Sequence, residues 1–477
     1  MTQGSGAGSA RVRAVAVVRE VLERGARATS LLAERAQGLA ELDRNLLREI
    51  VLGVLRWKAA LDEEITGVSR VPLARLAPNL REILEVALYQ IRHLDRVPDY
   101  AAVSEAVAHA RASGGEGASR LTNGILRNIL LLPPPALLPP LPPRVARGVS
   151  PRFTSDPAET EGRLSRSERP EGRGEGRTSA EALARYYSHP PFLVERWLNR
   201  FGEERTRRIL EVDNRPSGLD LMANPRKGNR ASLAAALASE GIRTEPSGLA
   251  PLALTVISGN PLASALFAAG HFSVQDIGSQ ALPLLLPEGE TLVDLAAAPG
   301  GKSLAALALG RCRRCVSLDL SLPRLRLLEE NRRRLDMPQA RPVAGDLAAL
   351  PLPPGCFDRV LLDAPCSGTG TMRKNPEIRY RVTPEAIERL ARAQEKFLLA
   401  AAAIVSPGGF LLYSTCSLEE EENERVVARV LEREPRLAPA PLEVADGLAA
   451  FTDGARLRLF PDDRTDGFTA HLLVRRI

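Results

Sequence analysis

The chain has 477 residues, too many for one ordinary hydrophobic core, and this length indicates two to four domains. Apolar residues make up 44% of the chain and charged residues 26%, a composition typical of globular proteins that excludes wholesale disorder. The net charge of +6 is compatible with a polyanionic partner but does not require one.

No run approaches the roughly 20 apolar residues that a membrane-spanning helix needs. The apolar run behind the Gly/Ser-rich start, residues 14–18, is too short for a secretion signal. We therefore expect a cytoplasmic protein without membrane association. Five cysteines are too few for a disulfide framework, so each is a candidate for a buried small residue, a ligand or a nucleophile.

The first segment, residues 11–131, has apolar side chains at every third or fourth position and predicts an all-α bundle. Three glycines within residues 114–117 predict a loop before a last helix at residues 121–131. The composition then changes, because Pro and Gly supply 15 of the 49 positions in residues 132–180. Such a composition predicts a disordered linker.

Residues 181–284 mix predicted helices with strands at 219–224, 252–258 and 272–275, which indicates a small α+β unit. After residue 284, strands and helices alternate strictly. The predicted strands are 291–295, 315–318, 341–344, 359–362 and 410–413. This alternation predicts a parallel sheet covered by helices on both faces, with ligands bound outside the carboxyl ends of the strands.

The loop after the first of these strands consists of small residues. It runs from Asp294 to Ser303 and contains Gly300 and Gly301, which let a ligand lie against the backbone at a helix N-terminus. It is not a Walker loop, which would need a glycine at Ala296, and it is not the dinucleotide motif G-x-G-x-x-G. The loop therefore predicts a ligand site without naming the ligand.

Two acidic residues follow the next two strands. Asp319 comes 25 residues after Asp294, close to where nucleotide-binding folds place an acid against ribose hydroxyls. Asp346 follows the third strand. Either residue alone could equally be a helix cap, but together they favour a nucleoside ligand.

Two cysteines follow the last two strands of the alternation. Cys366 lies in the segment 363–370 and Cys416 in the segment 414–417. An isolated cysteine is usually an inert buried residue, but two thiols at adjacent strand ends beside a nucleoside crevice favour chemistry. Cys312 and Cys315 form a C-x-x-C without a second Cys/His pair, and no metal site is expected.

Three segments together resemble the S-adenosylmethionine-dependent RNA cytosine-C5 methyltransferases: DLAAAPGGK at 294–302, DAPCSGTG at 363–370 and STCS at 414–417. The N-terminal segment resembles the NusB-like RNA-binding domain through Gly53 to Trp57, Leu88 to Gln90 and Val97-Pro98. This pairing is similar to that of the bacterial small-subunit rRNA methyltransferase B family and covers nearly the whole chain outside the linker.

The resemblance implies a multidomain fold: an all-α NusB-like bundle (1–131), the linker (132–180), a small α+β, RRM-like RNA-binding subdomain (181–284) and an α/β Rossmann-like methyltransferase domain (285–477). It implies methylation of C5 of a cytosine in 16S (small-subunit) rRNA. The same reaction on tRNA is an alternative within the enzyme class. A catalytically silent RNA-binding or ribosome-assembly factor and a dinucleotide-dependent oxidoreductase are alternatives from other classes.

The resemblance also implies roles for single residues. Those predicted to bind S-adenosylmethionine are Ala296, Ala297, Ala298, Pro299, Gly300, Gly301, Lys302, Asp319, Asp346 and Asp363. Cys416 would be the nucleophile, Cys366 would assist product release or act as the base, and Asp363 would also face N3 of the target base. The family often has Cys where this chain has Ala296, but alanine keeps the position small.

Positive charge is expected beside the thiols, because a free cysteine is mostly protonated at neutral pH. Lys302 is one candidate for this charge. Three others, Arg373, Lys374 and Arg379, lie in the segment after Cys366. We predict that these three form a basic arm that holds the RNA backbone, and the alternative is a solvated loop.

Overall fold

The computed structural model describes residues 9–133, 175–444 and 446–477, which form two compact units. The first unit ends at Leu210 and the second begins at Glu211. Most of the predicted linker lies outside the described residues, and its last six positions differ from the prediction because a helix begins at Glu175. No helix in the described part of the chain combines the length and apolar character that crossing a membrane requires.

The first unit is helical, which confirms the predicted all-α bundle. Its helices are α1 (Ala10–Arg24), α2 (Ala28–Arg35), α3 (Glu41–Val68), α4 (Pro78–His93), α5 (Asp99–Leu131) and α6 (Glu175–Tyr186), and α7 (Pro191–Asp213) continues into the second unit. One buried cluster of Val, Leu, Ile and Ala side chains joins helices α1 to α5. Burial of this continuous apolar stripe stabilises the bundle.

Two glycines set details of this bundle. Gly115 has a φ of 75° and kinks α5, so the predicted glycine loop is a break within one long helical stretch. Gly53 in α3 lies against the ring of Tyr89, and a Cβ at position 53 would come 1.9 Å from Tyr89 Cζ. The close approach of α3 and α4 therefore requires glycine at this position.

The second unit begins with a small antiparallel sheet. Its elements are β1 (Leu219–Ala223), α8 (Arg230–Ser239), β2 (Arg243–Pro246), β3 (Ala253–Ser258), α9 (Ala265–Ala268) and β4 (Phe272–Val274). The strand order is β2-β3-β1-β4. This arrangement confirms the predicted small α+β unit, although sequence analysis missed β2, which is short and has no buried side chain.

The rest of the second unit forms a larger sheet with its helices. The elements are α10 (Ile277–Ala281), β5 (Gly289–Asp294), α11 (Gly301–Ala308), β6 (Cys312–Asp319), α12 (Leu322–Arg334), β7 (Ala340–Ala344), β8 (Phe357–Asp363), α13 (Pro384–Ile404), β9 (Val405–Thr415), α14 (Glu424–Arg433), β10 (Leu437–Pro439), α15 (Asp446–Ala449), β11 (Arg456–Leu459) and β12 (Phe468–Arg475). The strand order is β10-β12-β9-β8-β5-β6-β7, with β11 beside β12.

Five of these strands, β5 to β9, are parallel, as the alternation predicts. The alternation does not predict the rest of the sheet, in which β12 pairs antiparallel with β9, and β10 and β11 pair antiparallel with β12. A short loop, not a crossover helix, joins β11 to β12, and short connections suit antiparallel pairing.

Side chains alternate between the two faces of this sheet. Leu292 and Leu361 belong to one buried cluster. The neighbouring residues Val293 and Val360 belong to another cluster, which includes side chains of α13 and α14. Because β5, β6, β8 and β9 run in the same direction, their carboxyl ends meet at one edge of the sheet.

Candidate active site

The carboxyl edge of the sheet gathers most of the predicted site residues. Asp294, Asp319 and Asp363 are the last residues of β5, β6 and β8. Cys416 directly follows β9, and Cys366 lies three residues after β8. The sheet thus brings together residues that are far apart in the sequence, as predicted.

The two thiols touch. Cys366 Sγ lies 3.2 Å from Cys416 Sγ, and both side chains are half-buried. The hydrogen bond with Cys416 and burial together raise the pKa of the Cys366 thiol well above its usual value. Cys366 is therefore a protonated thiol at neutral pH, in contact with the sulfur of Cys416.

An ion pair lies beside the thiols. Lys302 Nζ is 2.6 Å from Asp363 Oδ2, and Asp363 Oδ1 accepts a hydrogen bond from Ser414 Oγ at 2.9 Å. Burial lowers the pKa of Lys302, but Asp363, Asp294 and the Cys416 sulfur outweigh it and raise this pKa above its usual value. Lys302 therefore stays charged and attracts a negatively charged sulfur at Cys416. Lys302 was predicted both in the cofactor loop and as a candidate for positive charge beside the thiols, but its pairing with Asp363 was not predicted.

Two buried acids hold the loop between β5 and α11. Asp294 Oδ2 accepts a 2.6 Å hydrogen bond from Ser303 Oγ, and burial raises the pKa of Asp294 to about 6. Asp319 accepts a hydrogen bond from the backbone N–H of Ala298 at 3.1 Å and another from Ser321 at 2.9 Å. Asp319, at the end of β6, thus fixes the position of the small-residue loop through a hydrogen bond to its backbone.

This loop fits the predicted cofactor. Gly300 has a φ of +102°, which favours glycine, and Gly301 begins α11 with the side-chain amide of Gln275 beside it. Gln275 is only 7% exposed, and its Oε1 has no hydrogen-bond partner within the described residues. A buried free acceptor next to a helix N-terminus suits the ammonium and carboxylate groups of a methionine moiety. No motif in the sequence marks Gln275 as a site residue.

Asp346 lies two residues beyond β7, on the exposed side of the same edge. Its Oδ1 accepts a hydrogen bond from the backbone N–H of Ala348 at 2.8 Å. Asp346 therefore closes a turn within its own loop, and because the next element is strand β8, it is not the helix cap of the alternative interpretation. Its predicted contact with the adenine side of the cofactor stays a prediction.

The predicted basic arm is wrong for Arg373 and Lys374. Arg373 is 5% exposed and lies 3.4 Å from Asp466, while Lys374 Nζ lies 2.6 Å from Asp276 and 2.9 Å from Asp466. Both charges are paired with carboxylates of the protein itself. Asp276 and Asp466 are distant in sequence, so the local pattern shows that the two side chains are charged but not where they point.

Arg379 is also turned inward. It is 4% exposed and donates hydrogen bonds to Asn214 Oδ1 at 2.6 Å and to the carbonyl of Asp213 at 2.9 Å. The adjacent Tyr380 is exposed, in a short 3₁₀ helix at Pro376–Tyr380. The guanidinium groups of the predicted arm are therefore buried, and the tyrosine beside them is at the surface.

Family models match three parts of the chain. Residues 281–474 match the 16S rRNA methyltransferase RsmB/F model, residues 8–131 match the NusB family, and residues 189–263 match the ferredoxin-like domain of RsmF/B-like methyltransferases. The last match agrees with the β2-β3-β1-β4 sheet.

Whole-chain relatives agree with these matches. The chain is 31% identical to a probable ribosomal RNA small subunit methyltransferase B of Bacillus subtilis, over 91% of each chain. It is 32% identical to a probable enzyme of the same name from Synechocystis, over 91% of this chain and 92% of the relative. A crystal structure of a methyltransferase homolog protein from Pyrococcus horikoshii is 26% identical, with a TM-score of 0.52, over 62% of this chain and 99% of that one.

The carboxyl edge of the sheet, called the catalytic edge from here on, and the whole-chain similarity lead to the same conclusion. The carboxyl ends of β5, β6 and β8 and the residues after β9 carry the motifs of an RNA methyltransferase, and the methyl donor is S-adenosylmethionine. The protein is an enzyme that transfers a methyl group to RNA. The chain belongs to the ribosomal RNA small subunit methyltransferase B family.

Proposed function

We propose that this enzyme methylates C5 of a cytosine in 16S rRNA through a covalent bond between Cys416 and C6 of the base. The observation that carries the proposal is the 3.2 Å contact of Cys366 and Cys416 beside the Lys302–Asp363 pair. A structural role needs no second thiol at this place, whereas making and then breaking a covalent adduct gives each thiol a task.

The first step is activation of the base. Cytosine C5 is a weak nucleophile, and addition of the Cys416 thiolate at C6 gives C5 the character of an enamine carbon. Asp363, which is held by Ser414 and Lys302, binds the N3 side of the ring and stabilises the charge that develops there. When bound, S-adenosylmethionine supplies an electrophilic methyl group.

The last step is release of the product. A base must take the proton from C5, and the Cys416 sulfur must leave C6. Cys366 assists this elimination, because it is in contact with the leaving sulfur and its raised pKa keeps it protonated until then. The chain thus uses one thiol to form the adduct and the other to end it.

The relatives named ribosomal RNA small subunit methyltransferase B support small-subunit rRNA as the substrate. The N-terminal bundle (1–131) and the small α+β subdomain (181–284) bind this RNA, and the methyltransferase domain (285–477) carries out the reaction. The enzyme acts in the cytoplasm. The catalytic residues do not depend on the kind of RNA, so tRNA is the alternative substrate.

The test uses RNA that contains 5-fluorocytosine, whose C5 fluorine cannot be removed, so that the adduct is trapped. With S-adenosylmethionine present, we expect a covalent complex with 16S rRNA that Cys416→Ala abolishes. An adduct with tRNA alone would establish the alternative substrate, and an adduct that survives Cys416→Ala would overturn the nucleophile. If no RNA were methylated and no RNA formed an adduct, the protein would be a catalytically silent assembly factor.

A further inference from the structure

A buried glutamate lies behind the two thiols. Glu422 is fully buried, in the short 3₁₀ helix Glu420–Glu422 between β9 and α14. One carboxylate oxygen accepts a hydrogen bond from the backbone N–H of Ser367 at 2.8 Å. The other accepts hydrogen bonds from the hydroxyl of Ser367 and from Ser417 Oγ, the latter at 2.5 Å.

These partners belong to the two cysteine loops. Ser367 follows Cys366, Ser417 follows Cys416, and the two loops leave different strands. The hydroxyls of Ser367 and Ser417 also lie 3.1 Å apart. A single carboxylate thus bridges both loops one residue away from each thiol.

The bridge is held in place by further contacts. Gln394 in α13 donates a hydrogen bond to the Glu422 carboxylate at 3.0 Å, and Tyr413 donates one to the Glu422 carbonyl at 2.6 Å. Burial raises the pKa of Glu422, while its hydrogen bonds from Ser367 and Ser417 oppose the rise. A buried carboxylate is costly unless it is well hydrogen-bonded. A glutamate at this position is thus explained by what it holds together.

We propose that Glu422 is a positioning residue that ties the Cys366 loop to the Cys416 loop and keeps the two thiols in contact. Its part in catalysis rests on the proposed function, but the thiol contact does not. Alanine at this position would leave the backbone N–H of Ser367 without an acceptor and the loops free to separate. Glutamine keeps the shape and one acceptor oxygen, so it should preserve part of the bridge.

The probe for thiol contact is phenylarsine oxide, which condenses with two neighbouring thiols to a cyclic or bridged dithioarsonite and releases one water. The full chain carries Cys312→Ala in every sample, which removes the other close thiol pair. We expect tight binding of one arsenical per chain, detected by mass spectrometry and lost in Cys366→Ala and in Cys416→Ala. Glu422→Ala should weaken binding at least about tenfold, and Glu422→Gln should weaken it less.

Glu420→Gln is the matched control, because Glu420 lies in the same 3₁₀ helix but pairs with Arg425 at the surface. It should bind the arsenical like the parent chain. In methylation assays, Glu422→Ala should lower kcat while KM for S-adenosylmethionine stays unchanged. Unchanged arsenical affinity in Glu422→Ala, even with a lower Tm, would overturn the proposal and leave Glu422 a merely structural residue. Because this readout needs no RNA, a failure of cytosine methylation would be seen separately, in the fluorocytosine assay.

Discussion

Two pairs of cysteines lie in the same sheet and have different surroundings. Cys312 and Cys315 are three positions apart on β6 and are both buried, the first at the start of the strand and the second in its middle. Cys366 and Cys416 are 50 residues apart and half-buried, just beyond the carboxyl ends of β8 and β9. In both pairs a hydrogen bond between the thiols raises the pKa of one cysteine well above its usual value.

The difference lies in what else is near each pair. Cys312 and Cys315 belong to an apolar cluster with Leu292 and Leu361, and the described ranges contain no group of three or more metal-ligating side chains. The other pair has Lys302 within electrostatic reach. Close spacing in the sequence therefore produces a thiol pair but not a site. Position at the carboxyl edge of a parallel sheet supplies the charge and the access that chemistry needs.

The largest effect is expected at the nucleophile. Cys416→Ala should lower methyl transfer by about 10⁴-fold or more, because a covalent route has no substitute for its nucleophile. Cys312→Ala should leave kcat unchanged, because this thiol lies at the opposite end of the strands. Single-turnover transfer of a labelled methyl group to 16S rRNA measures both variants. Equal losses in the two variants would remove the distinction between the pairs.

The sequence predicted the catalytic edge well for a physical reason. The alternation of apolar strands and helices predicts a parallel sheet, and in such a sheet the residues after each strand share one edge. Asp319, Asp363, Cys366 and Cys416 could therefore be brought together without coordinates. These residues come together because the strands run in the same direction, and the strand–helix alternation predicts that direction.

Side-chain direction and distant partners could not be predicted in this way. Arg373 and Arg379 were predicted to face RNA, but they bind groups that come from remote parts of the second unit. Glu422 lies in a run of acidic residues, 419–422, that reads as solvated although Glu422 is fully buried. The antiparallel strand β12 was missed, because its pairing with β9 is a long-range contact. Each case depends on packing that no local pattern contains.

The two ends of β8 offer the next comparison. Asp363 ends this strand at the catalytic edge, whereas Asp358 lies near its start and accepts hydrogen bonds from the backbone N–H groups of Glu290 and Thr291. Asp363→Asn should lower kcat by about 10²- to 10³-fold, because it removes the carboxylate from the base. Asp358→Asn should lower Tm without this loss in kcat. A comparable loss in kcat for both variants, at equal folded fraction, would contradict the role of Asp363.

A smaller effect is expected in thiol reactivity. The largest cause of the raised pKa of Cys366 is its hydrogen bond with Cys416, so Cys416→Ala should lower this pKa toward its usual value. A lower pKa means more thiolate at pH 8, and iodoacetamide labelling of Cys366 should rise several-fold. Peptide mass spectrometry measures the labelling, with the exposed Cys356 as internal standard and the buried Cys315 as the unreactive reference. Unchanged labelling of Cys366 would show that the thiol contact does not set its reactivity.

The smallest effect concerns stability, and it should be larger in the Cys312/Cys315 pair than in the Cys366/Cys416 pair. Cys315→Ala removes a fully buried sulfur from the apolar cluster of β6 and should lower the free energy of unfolding by about 1 kcal/mol. Cys366→Ala removes a half-buried thiol and should change this free energy by less than about 0.5 kcal/mol. Urea unfolding followed by circular dichroism measures both, because the two tryptophans, Trp57 and Trp197, lie in the first unit and do not report on the sheet of the second. If Cys366→Ala were the more destabilising variant, Cys366 would contribute more to core packing than Cys315 does. The proposed difference between a structural pair and a catalytic pair would then be wrong.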